Sequence, residues 1–132
     1  MIVDSSVLVS ILLAEPDAHL YTKAIAKSYV TRISVASFVE VASKIDSSKN
    51  PIASRALDNF IRKANIVIEP MTEEQAIIAR YAYRDFGKGS GHPAKLNFGD
   101  SFAYALAKAY DEPLLYKGND FSKTDIQSAL DK

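Results

Sequence analysis

Four acidic residues stand where carboxylates do chemistry as well as keep a surface wet. Asp4 follows the apolar run Met1-Ile2-Val3 and precedes the hydroxyl pair Ser5-Ser6. Glu40 is set within the apolar segment Ser37-Phe38-Val39-Glu40-Val41-Ala42. Asp100 comes after Asn97-Phe98-Gly99, and Asp120 after Lys117-Gly118-Asn119. Each has an ordinary reading: a helix cap for Asp4, an i,i+4 pair with Lys44 for Glu40, a first-turn charge on a helix dipole for Asp100, a turn residue for Asp120. The joint pattern says more. Asp4 and Asp120 each follow a strand-like run, while Glu40 and Asp100 open or line helices that flank the same sheet edge. Carboxylates gathered there repel one another. An oxygen-seeking divalent cation such as Mg²⁺ or Mn²⁺, which keeps several waters beside a few carboxylates, is the usual compensation. Such sites activate water and clamp the phosphate in phosphodiester hydrolysis. Gly99 adds a hint, because a glycine in a first helical turn costs stability and implies a close approach to the backbone.

The elements that must position these acids follow from hydrophobic period and punctuation. The first three residues suit a strand buried on both faces. Ser5 and Ser6 offer N-cap side chains for a helix through Val7, Leu8, Ile11, Leu12 and Leu13. Pro16-Asp17 breaks it and starts a second helix, to about residue 27. Residues 29–33 read as a second strand, and Ser34 caps a helix to about residue 46, with Phe38, Val41, Ala42 and Ile45 at helical spacing. Pro51 opens another helix, to about residue 64. Residues 66–68 form a third strand, and Thr72-Glu73-Glu74-Gln75 is a capping-box-like helix start. Residues 87–93 are a flexible, glycine-rich linker; Asn97 caps a helix with Phe102, Ala103, Leu106, Ala107 and Tyr110 on its apolar face. Residues 113–116 are a fourth strand, 117–121 a turn, and 124–130 a short terminal helix. Strands alternating with helices predict an α/β fold with a mainly parallel central sheet.

Composition narrows the function. The 132 residues suit one domain, 1–132, and carry 16 Lys plus Arg against 16 Asp plus Glu. A net charge of zero leaves any nucleic-acid attraction to a local patch, for which Lys88, Lys95, Lys117 and Lys123 lie on segments near the acidic edge. The absence of cysteine excludes disulfides and thiolate metal sites. With no basic leader and no apolar run long enough for a bilayer, a soluble cytoplasmic protein is expected. The glycine-rich stretch lacks the Gly-Lys-Ser/Thr ending of a phosphate-binding loop. His19 and His92 have no ligand-spaced partners, and no Gly-x-Ser-x-Gly nucleophile elbow is present. Tyr21, Tyr83 and Tyr116 are available to stack on bases where exposed.

Four segments carry a family resemblance: Met-Ile-Val-Asp-Ser-Ser at 1–6, Ser-x-x-Ser-Phe-Val-Glu-Val-Ala at 34–42, Leu-Asn-Phe-Gly-Asp-Ser-Phe-Ala-Tyr-Ala-Leu-Ala at 96–107, and Leu-Leu-Tyr-Lys-Gly-Asn-Asp-Phe at 114–121. In these the chain resembles the PIN-domain ribonucleases, specifically the VapC-type toxins of bacterial toxin–antitoxin pairs. The resemblance implies an α/β/α sandwich and a Mg²⁺-dependent acidic site that hydrolyses RNA. It carries catalytic roles onto Asp4, Glu40 and Asp100, with Asp4 and Asp100 as inner-sphere metal ligands. Many relatives have two acids near the last turn; here Gly118 and Asn119 leave only Asp120, acting directly or through water. Ser5 and Ser6 stand where relatives have small polar residues lining the site. A homodimer is implied, as is a small antitoxin that places a basic side chain among the acids. Two rivals stand beside this: a non-catalytic PIN-like module binding RNA or protein, and a phosphate-handling signalling domain built on Asp4 and Lys117. The second has no place for Glu40 or Gly99-Asp100.

Overall fold

In the computed structural model, which describes residues 1–130, neighbouring strand residues face opposite cores. Ile2 and Leu114 join one apolar cluster, while Val3 and Leu115 join the other. These residues belong to β1 (Ile2–Val3) and β4 (Leu114–Leu115), which pair in parallel, Ile2 opposite Leu114 and Val3 opposite Leu115. β2 (Arg32–Ser34) pairs with β1, and β3 (Val67–Glu69) with β2, also in parallel. The order is β3-β2-β1-β4. The period-two alternation lets strands of two or three residues serve two cores at once.

Helices α1 (Ser5–Leu12), α2 (Ala18–Lys27), α3 (Val35–Asp46) and α4 (Pro51–Lys63) cover the Val3 face, with Leu8, Ile25, Val41 and Leu57 buried there. Helices α5 (Glu73–Phe86) and α6 (Asp100–Tyr110) cover the Ile2 face through Ala82, Ala103, Leu106 and Ala107. The expected α/β/α sandwich is the observed one. The expected domain runs to residue 132, and its last two residues lie outside the described part.

Helix starts follow the local chemistry. Ser34 Oγ accepts from the Ala36 amide, Asn50 Oδ1 from Ile52 and Ala53, and Thr72 Oγ1 from Gln75. Of the caps the sequence offers α1, the aspartate is the one used. The cap of α1 is Asp4, whose Oδ2 accepts from the Ser6 amide at 3.1 Å; Ser5 and Ser6 form the first turn instead.

Tertiary context altered three segments. β2 begins at Arg32, and Tyr29 stands wholly exposed ahead of it. The terminal helix does not form. Instead Leu114 donates to the Gln127 carbonyl and Ala129 to the Leu114 carbonyl, so the tail runs along the free edge of β4. The glycine-rich linker is closed at its base, where Lys88 donates to the Leu96 carbonyl and Leu96 to that of Phe86.

The chain leaves β1 toward β2 and β3, then crosses by α5 and α6 to return as β4 on the other side of β1. β1 and β4 thus bracket the point where strand order reverses. In open parallel sheets the crevice for a ligand lies there, beyond the carboxyl ends.

Candidate active site

All four acids lie at that edge. Asp4 is the residue after β1, Glu40 projects from α3, Asp100 opens α6, and Asp120 starts the 3-10 turn Phe121–Lys123 after β4. Ser5, next to Asp4, donates to Glu40, and Glu40 lies against Gly99, next to Asp100; the carboxylates of Asp4, Glu40 and Asp120 all raise the pKa of Asp100. No side-chain hydrogen bond from Asp120 caps its turn.

Neighbouring donors orient three of the carboxylates. The Ser6 amide donates to Asp4 Oδ2 at 3.1 Å, Ser5 Oγ to Glu40 Oε1 at 2.8 Å, and the Asn97 amide to Asp100 Oδ2 at 3.0 Å. Consecutive serines thus serve two different acids, one by its backbone and one by its hydroxyl. Ser6 Oγ also accepts from the Lys117 amide at 3.1 Å, tying the end of β4 to the start of α1.

The electrostatics are those of an uncompensated cluster. Asp4 is 3% exposed, and burial pushes its pKa up against the Ser6 hydrogen bonds, with the Glu40 charge adding to the rise. Asp100 is pushed up to about 7, first by burial and then by the charges of Asp4, Asp120 and Glu40, against the lowering effect of the Asn97 amide. Among the described residues none of the four forms an ion pair. Glu40 in particular is bonded to Ser5 rather than paired with Lys44.

An all-oxygen donor set with unbalanced negative charge fits a hard divalent cation. Among the described residues no three acids stand at the spacing of a shared ligand shell.

Two surroundings differ from the sequence-based expectation. Lys117, one of the lysines expected to offset the acids, donates to Glu15 Oε1 at 2.7 Å and Asp17 Oδ1 at 3.1 Å. Asp17 also accepts from buried Ser10 and from Tyr21, which is itself buried and unable to stack on a base. Nothing in the one-dimensional pattern pointed to this knot, because residues 15 and 117 meet only through the fold. The exposed aromatic nearest the site in sequence is Phe98, 69% exposed and edge-on to Tyr83 and Phe102. His92 packs against Phe86, and His19 bonds within its own turn.

Known proteins agree with this architecture. The PIN-domain family profile matches residues 1–127. Ribonuclease VapC28 of Mycobacterium tuberculosis is 54% identical over 132 residues, covering 100% of this chain and 99% of that one. The crystal structure of M. tuberculosis VapC20, a toxin that cleaves the sarcin–ricin loop, superimposes with a TM-score of 0.73 at 14% identity, over 95% of both chains. A toxin–antitoxin complex from Klebsiella pneumoniae matches with a TM-score of 0.69 at 15% identity, over 92% of this chain and 89% of that one. The chain belongs to the PIN-domain family and, within it, to the VapC ribonucleases.

Proposed function

We propose that this endoribonuclease is the toxin of a toxin–antitoxin pair and that its acids hold a divalent cation, Mg²⁺ or Mn²⁺, against an RNA phosphodiester. The reading rests on one observation: four acids from four separate segments meet at the switch-point edge, and among the described residues no cationic side chain is paired to them. When bound, the cation polarises the phosphate and makes a water nucleophilic near neutral pH. Asp4 and Asp100 would hold the cation, their carboxylates set by the Ser6 and Asn97 amides. Glu40, oriented by Ser5, aligns the attacking water and takes up its proton. Asp120, exposed at the rim, contributes through water.

The partner is a small antitoxin presenting a basic side chain to the acids; in support, the structural neighbour from Klebsiella is itself a toxin–antitoxin complex. The active form is a homodimer in the cytoplasm; no helix among the described residues is long and apolar enough to cross a membrane. The test is cleavage of RNA by the purified chain in Mg²⁺, Mn²⁺, Ca²⁺ or EDTA. Mg²⁺ and Mn²⁺ should support cleavage, Ca²⁺ poorly, and EDTA should abolish it. Full cleavage in EDTA would overturn the metal mechanism. Suppression of the Mg²⁺ activity by the product of a small neighbouring gene would establish the pair.

A further inference from the structure

We infer that Gly99 is a positioning residue for the reaction: it and Ser5 form the two sides of a seat that holds the Glu40 carboxylate. On one side, Ser5 Oγ donates to Glu40 Oε1 at 2.8 Å. On the other, the Gly99 backbone lies so close that a methyl group there would come within 2.8 Å of Oε2, 2.9 Å of Oε1 and 3.1 Å of Cδ of Glu40. Both oxygens of the acid therefore rest on the space a side chain would occupy. The inference rests on the proposed role of Glu40.

The glycine is not needed for its backbone. Gly99 has φ −62° and ψ −36°, an ordinary right-handed helical conformation that any residue adopts. Alanine would favour that conformation over glycine. The three atoms nearest to such a methyl all belong to the end of a flexible side chain, which can swing away at little cost. Helix stability and active-site placement thus pull in opposite directions at this position. Glycine is what allows α6 to approach α3 with an acid between them, one residue before Asp100. A shift of the order of an ångström in such a group costs roughly 10–100-fold in activity or metal affinity.

The experiment is a double-mutant cycle with Gly99→Ala, Glu40→Ala and the pair. It is read by single-turnover RNA cleavage, by Mn²⁺ titration followed calorimetrically, and by thermal melts in EDTA. Gly99→Ala should melt no lower than the parent, cleave roughly 10–100-fold more slowly, and bind Mn²⁺ more weakly. In the Glu40→Ala background, Gly99→Ala should cost nothing more, because the group it displaces is gone. Ser5→Ala, which opens the other side of the seat without a steric clash, should also slow cleavage. Should Gly99→Ala cleave at the parental rate while Glu40→Ala does not, the seat is wrong. Independent, multiplying losses in the double variant would equally overturn it, assigning Gly99 a role apart from Glu40. If Glu40→Ala itself cleaved at the parental rate, the proposed role of Glu40 would fall and the inference with it.

Discussion

Asn97 and Asp100 cap each other. The Asp100 amide donates to Asn97 Oδ1 at 2.8 Å, and the Asn97 amide donates back to Asp100 Oδ2 at 3.0 Å. This reciprocal box satisfies two helix-start donors and fixes the χ angles of Asp100 before any ligand arrives. The capping role and the proposed ligand role are therefore not alternatives. One oxygen serves the helix; the other, Oδ1, makes no hydrogen bond among the described residues and is available to an ion.

That division of labour makes Asp100→Asn an informative change. An asparagine at position 100 can still accept from the Asn97 amide, so the cap and the fold should persist. The ligand charge is gone, and single-turnover cleavage should fall by at least about 10²-fold, a few kcal/mol of transition-state stabilisation. Asp120→Asn, at the exposed rim, should cost less. Equal losses at the two positions would reverse the ranking of ligands.

The lysines separate in the same spirit. Lys88 and Lys95 are exposed on the loop that leads into Asn97, whereas the Lys117 ammonium is held between Glu15 and Asp17. RNA binding measured against salt with a non-cleaving variant should show it. Replacing Lys88 or Lys95 by alanine should each make the log–log slope shallower by about 0.7, the value for one contact to a single-stranded phosphate. Lys117→Ala should leave the slope unchanged. A shallower slope for Lys117→Ala alone would mean that RNA draws the ammonium away from its carboxylates.

How far such features could be read in the sequence depended on their range. Ser34, Pro51 and Thr72 mark helix starts because capping is settled within four residues. Gly99 carried its hint for the same reason: a glycine out of place in a first turn announces a neighbour, though only the fold identifies it as Glu40. The tail went wrong because the competitor was remote. Residues 124–130 have helical spacing, yet the open edge of β4 offers the Gln127 carbonyl and Ala129 amide partners, and Asp125 is held by Tyr104 and Lys108. The Lys117 knot was hidden likewise, joining residues a hundred positions apart.

The metal-free protein should lose stability as pH rises toward neutrality. Asp100 titrates at about 7 when folded, against an ordinary value of 3.8. Between those values the folded chain keeps a proton that the unfolded chain has released, so raising the pH favours unfolding. The penalty is absent below about pH 4, grows across the window and is complete above about 7; buried Asp4, also raised, acts in the same direction. Asp17 and Asp85 are lowered and act with the opposite sign, below the ordinary carboxylate range. Melting temperatures in EDTA from pH 5 to 8 should therefore decline for the parent and decline less for Asp100→Asn. Parallel profiles would mean that Asp100 does not titrate in this window.

Asp4→Asn tests the convergence of the acids without any assay of cleavage. Asparagine caps helices as well as aspartate does and can accept from the Ser6 amide as Asp4 Oδ2 does now, so the cap is retained. What changes is the charge. Asp4 is buried, unpaired among the described residues, and repelled by Glu40. Removing that charge should stabilise the metal-free protein by about 1 kcal/mol and raise its melting temperature in EDTA. The same substitution should shrink the gain from millimolar Mg²⁺, which grows as RT ln(1 + [L]/Kd) and so falls as the ion binds less tightly. A purely structural aspartate gives the other pattern: no rise in EDTA, and the same response to Mg²⁺ in both proteins. Four melts, each protein with EDTA and with Mg²⁺, decide between them. If Asp4→Asn melts lower in EDTA and responds to Mg²⁺ as the parent does, the acids do not act as one site.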